Sequence, residues 1–200
     1  LSSPNFGYKH VLKRFKPENQ VNLDLSHVRL LFNGAEPISA DLCREFSAVM
    51  KPFGLAETAM FTVYGLAEAC LVVSFPKLAQ PLSTLHVLRS SLVEGQPAQV
   101  VSEASDQSIE LVRLGTPIIG TQMIIADSSG QAVADNVIGR VLIKGENVTK
   151  GYYHAPELNE KLINDEGWLD TGDQGLLNEG QLVITGRTKD LIIVNGQNYY

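Results

Sequence analysis

Val28-Arg29-Leu30-Leu31-Phe32-Asn33-Gly34-Ala35-Glu36-Pro37 is the stretch from which the fold is read. Residues 28–32 form a short, mostly apolar run, the pattern of a buried strand. The run breaks at Asn33-Gly34. Ser39 then offers a side-chain oxygen to cap a helix. Leu42, Phe46, Val49 and Met50 follow at spacings of four, seven and eight, which is one face of a helix, and Pro52 and Gly54 close it. Strand, turn and helix open a chain that reads as mixed α and β with many loops.

Further elements follow along the chain, with no internal repeat and no low-complexity segment. Residues 60–64 predict a second strand that runs into Gly65. Residues 73–106 are punctuated by Ser, Gln, Pro and Gly and predict loops with a few short strands. Strand character returns at 109–114, 123–126 and 137–144, with a turn at Asp127-Ser128-Ser129-Gly130. Residues 156–163 predict a short helix with Pro near its start. Leu176-Leu177, then Asn178-Glu179-Gly180, then Leu182-Val183-Ile184 read as a hairpin. Residues 191–194 give a last strand.

Composition narrows the function. The chain has 200 residues, 44% of them hydrophobic, and a formal net charge of −6. That balance argues against non-specific nucleic-acid binding, which needs a basic footprint. A local site for an anionic nucleotide remains compatible with it. Cys43 and Cys70 form no paired motif and read as buried thiols of a cytoplasmic protein. His10, His27, His86 and His154 have no metal-ligand spacing. No apolar run approaches the roughly 20 residues of a membrane span, and no signal peptide is visible. The chain opens on Leu1 and stops at Tyr200 inside an apolar stretch, so both ends are expected to be internal to a longer protein.

Four clusters place polar residues where strands run out, which is where function tends to sit. Gly34-Ala35-Glu36 would let a flat ligand lie against bare backbone. Tyr64-Gly65-Leu66-Ala67-Glu68 sets an aromatic, a glycine and a carboxylate close together. Such a set could stack a base and hold a divalent ion beside a phosphate. Asp173, after the Thr171-Gly172 turn, could accept hydrogen bonds from a ribose diol. Arg187 could reach a ribose or phosphate, since guanidinium suits planar anion recognition. Each cluster alone also fits an ordinary turn.

Their order and spacing carry more. Gly34-Ala35-Glu36-Pro37, Tyr64 to Glu68, Gly139 to Tyr153, Gly167 to Asp173 and Gly186 to Gly196 together resemble the adenylate-forming superfamily. That superfamily includes acyl-CoA synthetases, luciferases and adenylation domains of nonribosomal peptide synthetases. Ser3 to Tyr8, the form of the second motif and the ending Asp190 to Tyr200 look most like fatty acyl-AMP ligases. The length between Glu68 and Gly115 leaves room for the insertion that marks those ligases.

The resemblance implies an α/β fold: the mixed-sheet and small β-barrel portion of a large N-terminal domain. It would end at the hinge to a small C-terminal domain, with 1–188 in the large domain and 189–200 forming the hinge and the start of the small one. It implies ATP/AMP and Mg²⁺ as cofactors. Gly34, Ala35 and Glu36 would line the adenine site, Tyr64 would stack on the base and Gly65 would accompany it. Glu68 would hold Mg²⁺, and Asp173 would take the ribose hydroxyls. Arg187 would support the sugar or phosphate, and Lys189 would sit at the pivot. Glu68, Arg187 and Lys189 are the expected catalytic set.

The implied partners are a carboxylic acid, of fatty type, and the phosphopantetheine arm of an acyl carrier protein. A coenzyme A ligase, an amino-acid adenylation domain or a non-catalytic binding module are the alternatives. The family's phosphate-binding loop and its C-terminal lysine are not found between Leu1 and Tyr200. The resemblance puts one upstream and the other downstream, and implies that these residues alone are inactive. Ala67 stands where most relatives carry Thr or Ser.

Overall fold

The computed structural model describes residues 1–20, 22–187, 192–194 and 197–199, with side chains described only up to 187. The first part is a small parallel α/β unit. Strand β1 (Ser2–Ser3) leads into helix α1 (Asn5–Arg14), strand β2 (Leu31–Asn33), helix α2 (Ala40–Met50) and strand β3 (Met60–Thr62). The three strands lie parallel in the order β1-β2-β3, with Phe32 beside Ser2 and Phe61. α1 and α2 pack on each other through Tyr8 and Phe46, whose rings meet edge-on with centroids 4.9 Å apart.

α2 forms as the sequence predicts. The Ser39 hydroxyl accepts from the Leu42 N–H at 3.2 Å, a cap worth about 1 kcal/mol. Cys43, Phe46 and Met50 are its deeply buried stripe, packed on Leu31 and Met60 of the sheet. Full burial of a side chain such as Phe46 or Met50 contributes roughly 1.5–3 kcal/mol. α1 was not legible in the sequence. Pro4 caps it without a side-chain bond and only Tyr8 of its ten residues is buried.

The remainder is β-rich. Strand β4 (Ser74–Phe75) is followed by β5 (Thr84–Leu88), β6 (Val100–Val101) and β7 (Ser108–Val112), then by β8 (Thr116–Pro117), which pairs back to β4. β5 is central to an antiparallel sheet in the order β6-β5-β7. Strands β9 (Thr121–Ala126), β10 (Gly139–Gly145), β11 (Leu169–Asn178) and β12 (Gln181–Arg187) make a four-stranded antiparallel sheet, with helix α3 (Pro156–Leu162) between β10 and β11. The β11–β12 hairpin turns at Glu179 and Gly180, both with positive φ, the geometry of the type I′ turns that suit two-residue hairpins. A last pair, β13 (Ile192–Val194) and β14 (Gln197–Tyr199), is antiparallel.

Both faces of the four-stranded sheet are covered, which explains its continuous apolar runs. Leu182 joins one core with Val141, Ile143, Leu169 and Tyr64, while its neighbour Val183 joins another with Leu85, Val87, Ile138 and Leu176. Among the described residues the ladders are open. Leu114 N–H donates to the Leu182 carbonyl and Leu182 N–H to the Gly115 carbonyl, each at 2.8 Å, stitching the β7 end to β12. Arg44 of α2 reaches Glu110 of β7 at 2.5 and 2.8 Å, tying the α/β unit to the β-rich part. No helix among the described residues is long and apolar enough to cross a membrane.

Candidate functional site

β2 and β3 are parallel, so their C-terminal ends lie together, the position at which open α/β sheets offer ligand sites. Gly34 follows β2 and Tyr64 follows β3. The ladder continues one step past β3, because Val63 N–H donates to the carbonyl of Asn33 at the end of β2 at 2.9 Å. A side chain at Gly34 would press on the Val63 carbonyl and its methyl group at 2.8 and 2.9 Å. The first two sequence clusters therefore touch through bare backbone.

Tyr64 brings in the third. It is 9% exposed, and its hydroxyl donates to a carboxylate oxygen of Asp173 at 2.6 Å. Arg187 supplies the fourth: its Nε–H donates to the other Asp173 oxygen at 2.7 Å. The pairing follows from a bulge. The β11–β12 register slips between Gln174 and Gly175, and the slip leaves Asp173 directly opposite Arg187. Bulges commonly re-aim a side chain next to a functional site. Burial first, and then the Asp173 carboxylate, push the Tyr64 phenol above its ordinary range, so it stays a neutral donor.

Ala35 takes a left-handed backbone conformation, with φ 67°. The Glu36 carboxylate accepts from the Phe6 N–H at 3.2 Å, in the first turn of α1, where the helix dipole favours an anion. Asn5, which the sequence reading passed over, ties this turn together. Its amide group donates to the Pro37 carbonyl and its oxygen accepts from Asn33 and from the Ser39 N–H.

Glu68 lies on a short turn at Ala67–Ala69. The Tyr152 hydroxyl donates to one of its carboxylate oxygens, and that bond raises the Tyr152 phenol. Gly65 is required here, because a β-carbon would overlap the Leu71 carbonyl. Asn147 and Thr149, on the linker after β10, bond the backbone of the same loop. These partners lie within the quoted Gly139-to-Tyr153 motif, but nothing in their spacing said what they touch. Gly34, Tyr64, Asp173 and Arg187 are thus brought together, and Glu68 stands at the far end of the Tyr64 turn. Lys189 lies outside the described residues.

A buried carboxylate held by a phenol and a guanidinium, beside parallel strand ends that turn at glycines, suits a polar ligand carrying a diol. Comparison with known proteins agrees. Residues 3–153 match the AMP-binding enzyme family, and the chain belongs to it. Over 209 residues it is 33% identical to the 4-hydroxyphenylalkanoate adenylyltransferase of Mycobacterium marinum, covering 99% of this chain and 33% of that protein. Over 207 residues it is 35% identical to the medium-chain-fatty-acid–[acyl-carrier-protein] ligase JamA of Moorena producens, covering 98% of this chain and 35% of that protein. Among solved structures it resembles fatty acyl-adenylate ligases from E. coli and L. pneumophila, with a TM-score of 0.85 and 34% identity over 100% of this chain and 36% of that one. The chain thus spans about a third of the length of the curated relatives it matches.

Proposed function

We propose that the longer protein containing these residues activates a fatty or related carboxylic acid with ATP. The acid's carboxylate oxygen attacks the α-phosphorus, and the bond to pyrophosphate breaks. The acyl-AMP so formed is then attacked at its carbonyl carbon by the phosphopantetheine thiol of a carrier protein, and AMP leaves. The single observation that supports this reading best is the Asp173 carboxylate, fixed between Tyr64 and Arg187. An ionised carboxylate offers about four lone-pair sites. Two are used here, and two remain for the ribose hydroxyls.

In this reading Gly34, Ala35 and Glu36 line the adenine, with the Tyr64 ring against the base and Gly65 giving the turn its close approach. Arg187 serves the sugar or the phosphate. Among the described residues no group of three or more His, Cys, Asp or Glu is placed to hold a metal ion. Mg²⁺ is commonly bound by one or two carboxylates together with substrate phosphates. Glu68 would be the protein ligand, since an oxygen that accepts from Tyr152 leaves the other to face the ion. Bound there, Mg²⁺ would offset the charge that builds on the departing pyrophosphate. Lys189 would be the pivot at which a small domain, beginning in 189–200, rotates between the two half-reactions. Cys43 is buried as expected and Cys70, on the left-handed turn after Ala69, is exposed instead; two cysteines outside any disulfide and the use of ATP fit a cytoplasmic enzyme.

The test is acid-dependent exchange of labelled pyrophosphate into ATP by the full-length enzyme, over a broad panel of carboxylic acids. Exchange with fatty acids, followed by acyl transfer to a carrier thiol in preference to coenzyme A, is the expected result. Should no acid support exchange, the activation reading fails; efficient acyl-CoA formation would overturn the choice of acceptor.

A further inference from the structure

Glu68 is half-buried and sits on a turn of one short helical segment. Left alone, such a side chain samples several rotamers, and any ligand that needs its carboxylate in one place must order it first. The structure supplies the ordering from elsewhere in the chain. Tyr152, 84 residues away in sequence, donates its hydroxyl to a Glu68 carboxylate oxygen. Tyr152 is itself clamped. Its N–H donates to the Asn159 side-chain oxygen at 2.6 Å, and the Asn159 amide group donates back to the Tyr152 carbonyl at 2.9 Å. Asn159 belongs to α3, a regular element, so the clamp has a firm base. Gly151 makes room for it: a β-carbon there would meet the Asn159 amide at 2.6 to 2.8 Å.

The same linker holds the Glu68 backbone. Thr149 N–H donates to the Glu68 carbonyl at 2.7 Å. The Asn147 amide group donates to the Ala69 and Val72 carbonyls at 3.2 and 3.1 Å. Between those carbonyls Cys70 and Leu71 take left-handed conformations, with φ of 49° and 90°. A bulky residue such as Leu adopts that region only when its surroundings hold it there. Backbone and side chain of Glu68 are therefore fixed by one segment through separate bonds.

We infer that Tyr152, braced by Asn159, is a positioning residue that presents the Glu68 carboxylate to the divalent cation of the nucleotide. This inference rests on the proposed role of Glu68 at the metal. It predicts that removing the Tyr152 hydroxyl weakens the cation's contribution to nucleotide binding and leaves cation-free binding alone.

The experiment is calorimetric titration of the full-length enzyme with α,β-methylene-ATP, which cannot release pyrophosphate, once in EDTA and once in saturating Mg²⁺. The proteins are the wild type, Glu68→Gln, Tyr152→Phe and Asn159→Ala. In the wild type Mg²⁺ strengthens binding, and Glu68→Gln abolishes that gain. Tyr152→Phe, which keeps the ring and its packing, should bind as the wild type does in EDTA but lose about fivefold of the Mg²⁺ gain, close to 1 kcal/mol. Asn159→Ala should lose a similar factor. If Tyr152→Phe retains the whole gain while Glu68→Gln loses it, the positioning role is overturned and the role of Glu68 stands. A Tyr152→Phe loss of equal size in EDTA and in Mg²⁺ also overturns it, since the effect then bypasses the cation. Should Glu68→Gln itself keep the full gain, the metal assignment fails and the inference falls with it.

Discussion

Breaking the Tyr64–Asp173 bond should expose an energetic coupling between the two residues. The Tyr64 hydroxyl donates at 2.6 Å to a carboxylate that is itself buried. A hydrogen bond to a charged group contributes roughly 1.5–3 kcal/mol. Tyr64→Phe removes the donor and should cost about that much. Asp173→Ala costs more, because it also strands the Tyr64 hydroxyl in a site that is 9% exposed, an unmet donor costing roughly 1–3 kcal/mol. In the double variant neither group is present, so the stranding penalty vanishes. The bond is also lost once there but counted twice in the summed single losses, so the double loss should fall short of that sum by roughly 2.5–6 kcal/mol. Arg187 does not disturb the arithmetic. Its side chain is 62% exposed, so its ion pair with Asp173 contributes at most about 1 kcal/mol. That term is lost equally in both Asp173→Ala backgrounds and cancels in the cycle. The assay is urea unfolding of the full-length protein and the three variants, followed by circular dichroism at neutral pH. Strict additivity, with a coupling under about 0.5 kcal/mol, would refute the shared bond and with it the picture of a pre-set carboxylate.

Four further outcomes follow. Asp173→Ala should weaken ATP use in pyrophosphate exchange by about ten- to a hundred-fold, and Asp173→Asn by less, since an amide oxygen still accepts; unchanged ATP kinetics in a stable Asp173→Ala protein would remove the residue from the site. Glu110, bonded to Arg44, has its carboxyl pulled down from an ordinary 4.5 to about 2; a lowered folded value stabilises above the unfolded one, so this contribution is complete above about pH 4.5 and fades from there to about pH 2. With Arg44 half exposed the pair is worth about 1 kcal/mol, so the urea-midpoint difference between wild type and Glu110→Gln should shrink between pH 7 and pH 3, and a constant difference would exclude the linkage. Gly65→Ala, whose methyl would overlap the Leu71 carbonyl, should cost about 3 kcal/mol in unfolding experiments and lower exchange activity, as overpacking against backbone does. Lys189→Pro should preserve pyrophosphate exchange and suppress transfer to the carrier thiol, because proline fixes φ at the proposed pivot; single-turnover rates falling equally in both half-reactions would rule out the hinge.

The sequence announces features whose cause is local, and the structure shows why it stops there. Ser39 caps the helix three residues ahead, and the stripe from Leu42 to Met50 lies within a few turns, so α2 could be read directly. Glu179 and Gly180 adopt positive φ inside a two-residue turn, and the hairpin around them was equally plain. α1 escaped because Pro4 offers no cap bond and its buried face is little more than Tyr8. The candidate site was half legible for the same reason. Each cluster could be found, since glycine beside a polar residue at a strand end is a local pattern. Which clusters meet could not. Tyr64 and Asp173 are 109 residues apart, and their contact depends on the parallel register of β2 with β3 and on the slip at Gln174–Gly175. Moving that slip by one residue would turn Asp173 to the opposite face of the sheet, with the sequence around it unchanged. Tyr152 and Glu68 repeat the lesson across 84 residues. The residues that would touch ligand betray themselves by the backbone they need, whereas those that aim them are ordinary polar side chains whose meaning lies in the fold's register.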